Sequence, residues 1–252
     1  MIDALPEWSN LFVRWFHVFA GILWIGSTWY FTWLDRQLHR APDGVWMVHS
    51  GGFYLVEKQQ NPKVEPSKIH WFKYEALFTW LSGLVLLYLV YYQGGLMEES
   101  PRWLGLALLV VGWLAYDLFW MTPVSPLAGA AISYVALVAI AWWLCGHMEA
   151  RAAYIHLGAM MGTIMALNVW LRILPAQRKL VNQISMGQVP DSVLANRAKD
   201  RSKHNTFIIL PVVMTMISNH YPTATYGSAY NWQVFAVLVL AGGAAAKIVR
   251  ER

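Results

Sequence analysis

Four of the chain's eight histidines stand where chemistry can be built. His17 and His156 fall inside apolar runs, and His70 and His204 each open the next run after a long polar connection. The separations are similar, 53 residues from His17 to His70 and 48 from His156 to His204. An ionisable side chain at the centre of a membrane span costs about 2.5–3.5 kcal/mol, so such residues are functional suspects by default. Two neutral imidazoles facing each other across a helical bundle complete the axial positions of a haem iron. His17 with His156, and His70 with His204, are therefore candidate ligand pairs for haem b, and Arg14, one turn before His17, is placed to meet a propionate. Asp117 lies inside another apolar run, where it either pairs with Lys73 or Arg172 or handles protons. His39, His49 and His147 read as interfacial hydrogen-bonders.

The elements that must position these residues follow from composition. Apolar residues make up 57% of the 252 and charged residues 13%, with 15 Trp; mean hydropathy is +0.38. Such a chain is dissolved mainly in lipid. A bilayer core needs roughly 20 apolar residues per helix, and seven runs qualify: 9–34, 74–93, 103–121, 127–146, 152–174, 205–221 and 231–249. The expected fold is an all-α polytopic bundle of about seven helices forming a single membrane domain over 1–252. The acidic residues Asp3 and Glu7 ahead of the first run mark it as a retained helix rather than a signal peptide. Pro211 is expected to bend the sixth. Cys145 is the lone cysteine, so this chain builds no disulfide or iron–sulfur site, and without Cys-x-x-Cys-His it carries no c-type haem. The absence of GxGxxG argues against NAD or FAD.

Sixteen of the nineteen Lys and Arg fall on one side of this topology, which places the N-terminus outside and the C-terminus in the cytoplasm. The net charge of +5 is thus expected to face membrane lipids, not nucleic acid. Two long inner connections remain. Residues 35–73 hold a Gly-Gly turn, and 175–203 read as a polar amphipathic helix broken or capped at Pro190-Asp191-Ser192. The matched histidine spacing suggests a parallel repeat of helices 1–2 and 5–6. Gly158-x-x-x-Gly162 reads as a close-packing step.

Several strings carry a resemblance. Trp15-Phe16-His17-Val18 through Gly26-Ser27, His49-Ser50-Gly51-Gly52-Phe53-Tyr54 and His70-Trp71-Phe72-Lys73-Tyr74-Glu75 come first. Asn168-Val169-Trp170 with Leu174-Pro175, and Lys203-His204-Asn205-Thr206 through Ser218-Asn219-His220-Tyr221-Pro222, complete them. Together they resemble the N-terminal membrane domain of the bacterial membrane-bound urate dehydrogenase family. The resemblance implies an enzyme of the inner (cytoplasmic) membrane that oxidises urate toward 5-hydroxyisourate and sends electrons to cytochrome c. The family's cytochrome c domain has no counterpart in this sequence, so a separate cytochrome c or a larger membrane complex is the expected partner. Under that reading His49, Glu57, Lys58, Lys73, Glu75 and Asn205 are the candidate catalytic residues, gathered with His70 and His204 where the inner connections meet. Asn168, Asn219 and His220 are further candidates. The alternative is a haem b electron-transfer subunit, or a scaffold subunit without catalysis, of a respiratory or photosynthetic complex.

Overall fold

Hydrocarbon offers no hydrogen bonds, so backbone groups crossing it must be satisfied within helices. The computed structural model describes residues 5–251 except 60, 61, 64, 98 and 99; Asp3 and Arg252 lie outside them. Among the described residues there are seven helices and one hairpin. In chain order these are α1 (Leu5–Arg40), β1 (Val45–His49), β2 (Gly52–Val56), α2 (Tyr74–Gln93), α3 (Arg102–Phe119), α4 (Pro126–His147), α5 (Ala150–Ser185), α6 (Ser192–Ile217) and α7 (Asn231–Glu251). All but α6 are long and apolar enough to cross a membrane, and the chain is built as a multi-pass membrane protein. The odd-numbered helices finish at the end that carries the hairpin, where Arg36 of α1 donates to the carbonyl of Arg250 on α7 at 2.5 Å.

The central element is α5. Two-thirds (67%) of its most apolar window is buried, against 6% for α1. Tyr154, Leu157, Phe235 and Leu144 are fully buried around it, while the other helices turn most of their apolar surface outward, as lipid-facing helices do. Gly158 lets α6 approach, since a Cβ there would lie 2.1 Å from Thr215 Oγ1. Gly162 meets nothing within 4 Å, so only the first glycine of that step is needed for packing. Pro211 sits inside α6 against Gly242, where a Cβ would come within 3.0 Å of its ring.

Two connections differ from the expected boundaries. Residues 35–73 contain a β-hairpin, with Trp46 opposite Leu55 and Val48 opposite Phe53. Its turn puts Ser50 and Gly51 at φ 50° and 77°, the left-handed region that Gly adopts at little cost. The second connection shrinks to 186–191. At 36 residues and about 1.5 Å rise each, α5 exceeds the bilayer core and continues past it. The expected cap at Asp191 is present: its side chain accepts from the backbone amides of Val193 at 2.9 Å and Leu194 at 3.1 Å.

Two stretches depart from regular α geometry, and both matter below. The last turn of α2, Tyr88–Gln93, and the Asn168–Ile173 segment of α5 are π-helical. Widened turns of this kind leave room for side chains and recur at functional sites. The second precedes Pro175, whose ring would clash with the carbonyl four residues earlier, and the wider turn relieves that crowding.

Candidate functional site

The π turn of α5 faces Asp117 and Tyr116 near the end of α3 and Arg201, His204 and Asn205 in the first half of α6. Asp117 is buried. It accepts from Arg172 Nε at 2.9 Å and from the same guanidinium's Nη2, and Arg201 Nη2 stands 3.0 Å from its Oδ1. Of the two cations anticipated for Asp117, the partner is Arg172, joined by Arg201. Arg201 also donates to the Asp117 carbonyl at 3.1 Å and lies over the Tyr116 ring at 5.0 Å. One carboxylate thus faces two guanidiniums, leaving an excess positive charge in a site where the Arg201 side chain is 8% exposed.

Beside these charges runs a chain of hydrogen bonds. The Asn168 amide donates to Tyr116 Oη at 2.9 Å and to Asn205 Oδ1 at 3.0 Å, and Asn205 Nδ2 donates to the Met165 carbonyl at 3.0 Å. Tyr116 Oη, accepting from Asn168, is also hydrogen-bonded with His204 Nδ1 at 2.8 Å. Trp120 covers the His204 ring, centroids 4.1 Å apart. Two buried polar atoms of this cluster have no partner among the described residues: Asn168 Oδ1, an acceptor, and Arg201 Nη1, a donor. A buried polar atom without a partner is costly, about 1–3 kcal/mol or more when charged.

A second polar cluster occupies the opposite end. Arg151 Nε and Tyr91 Oη both donate to Asn219 Oδ1, at 2.9 and 3.1 Å. His156 is fully buried. Its Nδ1 faces the Ala152 carbonyl at 2.7 Å, and a carbonyl only accepts, so Nδ1 carries the proton, while the single proton of Tyr92 Oη is shared between His156 Nε2 at 3.0 Å and the Arg102 carbonyl at 3.2 Å. Gly105 makes room for that pair, since a Cβ there would lie 2.4 Å from His156 Nε2.

His17 is held in a comparable way, Nδ1 donating to the Thr79 carbonyl and meeting Ser82 Oγ, both at 3.0 Å. As the two axial ligands of one haem, however, His17 and His156 do not fit. His17 meets α2 at Thr79 to Gly83 and His156 meets it at Tyr91 and Tyr92, at least eight residues or about 12 Å further along that helix. The free nitrogen of His156 is also taken by Tyr92. Arg14 is exposed and donates to Asn10 Oδ1 at 2.5 Å. His70 is exposed and packs on Phe72 at 4.6 Å, whereas His204 packs on α3. The packing of α1 on α2 and of α5 on α6 is the pairing a parallel repeat needs, but its histidines meet different partners. Among the described residues no three His, Cys, Asp or Glu side chains gather around one metal position.

Of the six candidate catalytic residues only Asn205 joins the buried cluster. His49 ends β1 in solvent, Glu57 follows β2, and Lys58 pairs with Asp35 of α1. Lys73 precedes α2 and lies 4.8 Å from the Tyr74 ring, and Glu75 stands in the first turn of α2. His220 is exposed at the opposite end, beside Asn219. The residues not anticipated are Tyr116 and Arg201 in one cluster and Tyr91, Tyr92 and Arg151 in the other. The usable signal for Arg201 was its spacing: three and four residues before His204 and Asn205, it shares their helix face.

No curated protein and no solved structure matches the chain. The model of the urate oxidase N-terminal family matches residues 3–251, nearly the whole chain and both polar clusters with it, and the protein belongs to that family.

Proposed function

We propose that the protein oxidises urate toward 5-hydroxyisourate at the cluster around Asn168 and Arg201, and that a cytochrome c takes the electrons. Water adds at C5 of the purine as two protons and two electrons leave, and two ferricytochrome c molecules take one electron each. The observation that carries this placement is the pair of buried, unpartnered atoms, Asn168 Oδ1 and Arg201 Nη1. A ureide edge presents a carbonyl oxygen beside an N–H, and so asks for one donor and one acceptor. The excess guanidinium charge beside Asp117 suits a urate anion, whose burial in a water-poor site requires a counter-charge. The hydrogen bond between Tyr116 and His204 offers a proton-holding pair next to that edge.

The excess of Lys and Arg at the hairpin end supports a cytoplasmic position for that end in a bacterial inner membrane. Family membership supports urate as the substrate, and no step here runs through haem b. Detergent-purified full-length chain, given urate and ferricytochrome c, should reduce two cytochromes for each urate consumed. Arg201→Met should abolish both signals. Failure of the wild-type chain to consume urate, or an unchanged rate in Arg201→Met, would contradict the reading.

A further inference from the structure

A different set of cations lies at the hairpin end of α6 and α7. Lys203 and Phe207 of α6 face Lys247, Arg250 and Glu251 of α7 across a cavity of about 310 Å³. Three cations against one carboxylate leave the cavity positive. Arg250 stacks over the Phe207 ring at 5.7 Å, and its carbonyl receives Arg36 Nη1 of α1. The Nε of Arg36 is buried without a partner among the described residues, so a further cation stands behind the α7 wall. None of these residues takes part in the cluster at Asp117 apart from sharing α6.

Placement decides what such a cavity receives. Ile248 and Val249, beside Arg250 in sequence, are 54% and 53% exposed, which is the surface a helix shows to acyl chains. The cavity therefore opens where apolar helix surface meets the cationic end of the bundle. Basic pockets between membrane helices at that level bind anionic head groups. We propose that Lys203, Lys247 and Arg250 form a binding site for the phosphate ester of an anionic phospholipid, with Phe207 as its floor.

The test uses detergent-purified full-length protein and native mass spectrometry after exchange into micelles carrying phosphatidylglycerol, phosphatidylcholine or inorganic phosphate alone. Each cation near a membrane surface is worth about fivefold in anion affinity, so the double variant K203Q/K247Q should hold phosphatidylglycerol about 30-fold more weakly. Glu251→Gln removes the opposing charge and should hold it more tightly, which keeps the proposal testable if the double variant does not fold. Retention of phosphatidylglycerol but not phosphatidylcholine, lost and gained in that order, supports the lipid site. Equal occupancy by inorganic phosphate would assign the same cations to a soluble anion and overturn the lipid source. Lipid retention indifferent to both substitutions would overturn the site.

Discussion

At the end opposite the hairpin, the side chains around His156 are tied to their neighbours: Nδ1 donates to a carbonyl, Tyr92 Oη lies against Nε2, and Arg151 and Tyr91 share Asn219. At the hairpin end a cluster of similar make-up, built on the second π turn, leaves an acceptor on Asn168 and a donor on Arg201 without partners. Both clusters bury charge or imidazole between helices, so burial alone does not distinguish them. What does is closure: a completed network fixes helices against each other, whereas an open one retains capacity for a ligand. The first cluster is read as architecture and the second as a binding site.

The largest expected effect breaks the second cluster at its charge centre. Asp117→Asn leaves two guanidiniums without their carboxylate. Losing one partner of a buried pair costs about 3–5 kcal/mol, and the lower end applies because Arg172 can turn to water. The loss would be read as a drop in the thermal midpoint of the detergent-solubilised chain. Gly105→Ala tests the first cluster. Its Cβ would stand 2.4 Å from His156 Nε2 and 2.5 Å from Tyr92 Oη, and overpacking of that kind costs about 1–3 kcal/mol. Stability should fall while the rate of urate oxidation per folded molecule stays unchanged; a matching fall in rate would make the first cluster functional. The smallest effect belongs to Lys58→Ala. The Lys58 and Asp35 side chains are 50% and 41% exposed, so the loss should be under about 1 kcal/mol in chemical denaturation.

The helices were legible in sequence because lipid imposes a minimum apolar length, and each run read at about 20 residues corresponds to a helix. Their ends were not, because hydropathy reports membrane thickness and not helix length. Hence α5 continues through its amphipathic stretch to Ser185, and α6 begins at Ser192, well before its apolar half. The hairpin was visible only as its Gly-Gly turn, since Val45–His49 and Gly52–Val56 are short strands without a core to pattern them. In the site, Asp117 and His204 stood out as polar groups in or beside apolar runs, and Asn168 and Asn205 through the family resemblance. Arg201 did not, because in sequence it is one of several charges between Arg197 and Lys203. Its burial is created by α3 and α5 packing over it, which no local pattern records. His17 and His156 stand at different levels for a similar reason: matched spacing along the chain does not set matched depth along α2.

The central claim is that urate occupies the open cluster and not the closed one. Equilibrium binding of radiolabelled urate to the full-length chain should be compared among wild type, Asn168→Leu and Tyr92→Phe. Removing a hydrogen-bond partner of a buried ligand costs about 1.5–3 kcal/mol, so Asn168→Leu should weaken urate binding by about 10- to 100-fold. Tyr92→Phe should leave it at the wild-type value. Binding that survives Asn168→Leu and is lost in Tyr92→Phe would contradict the account.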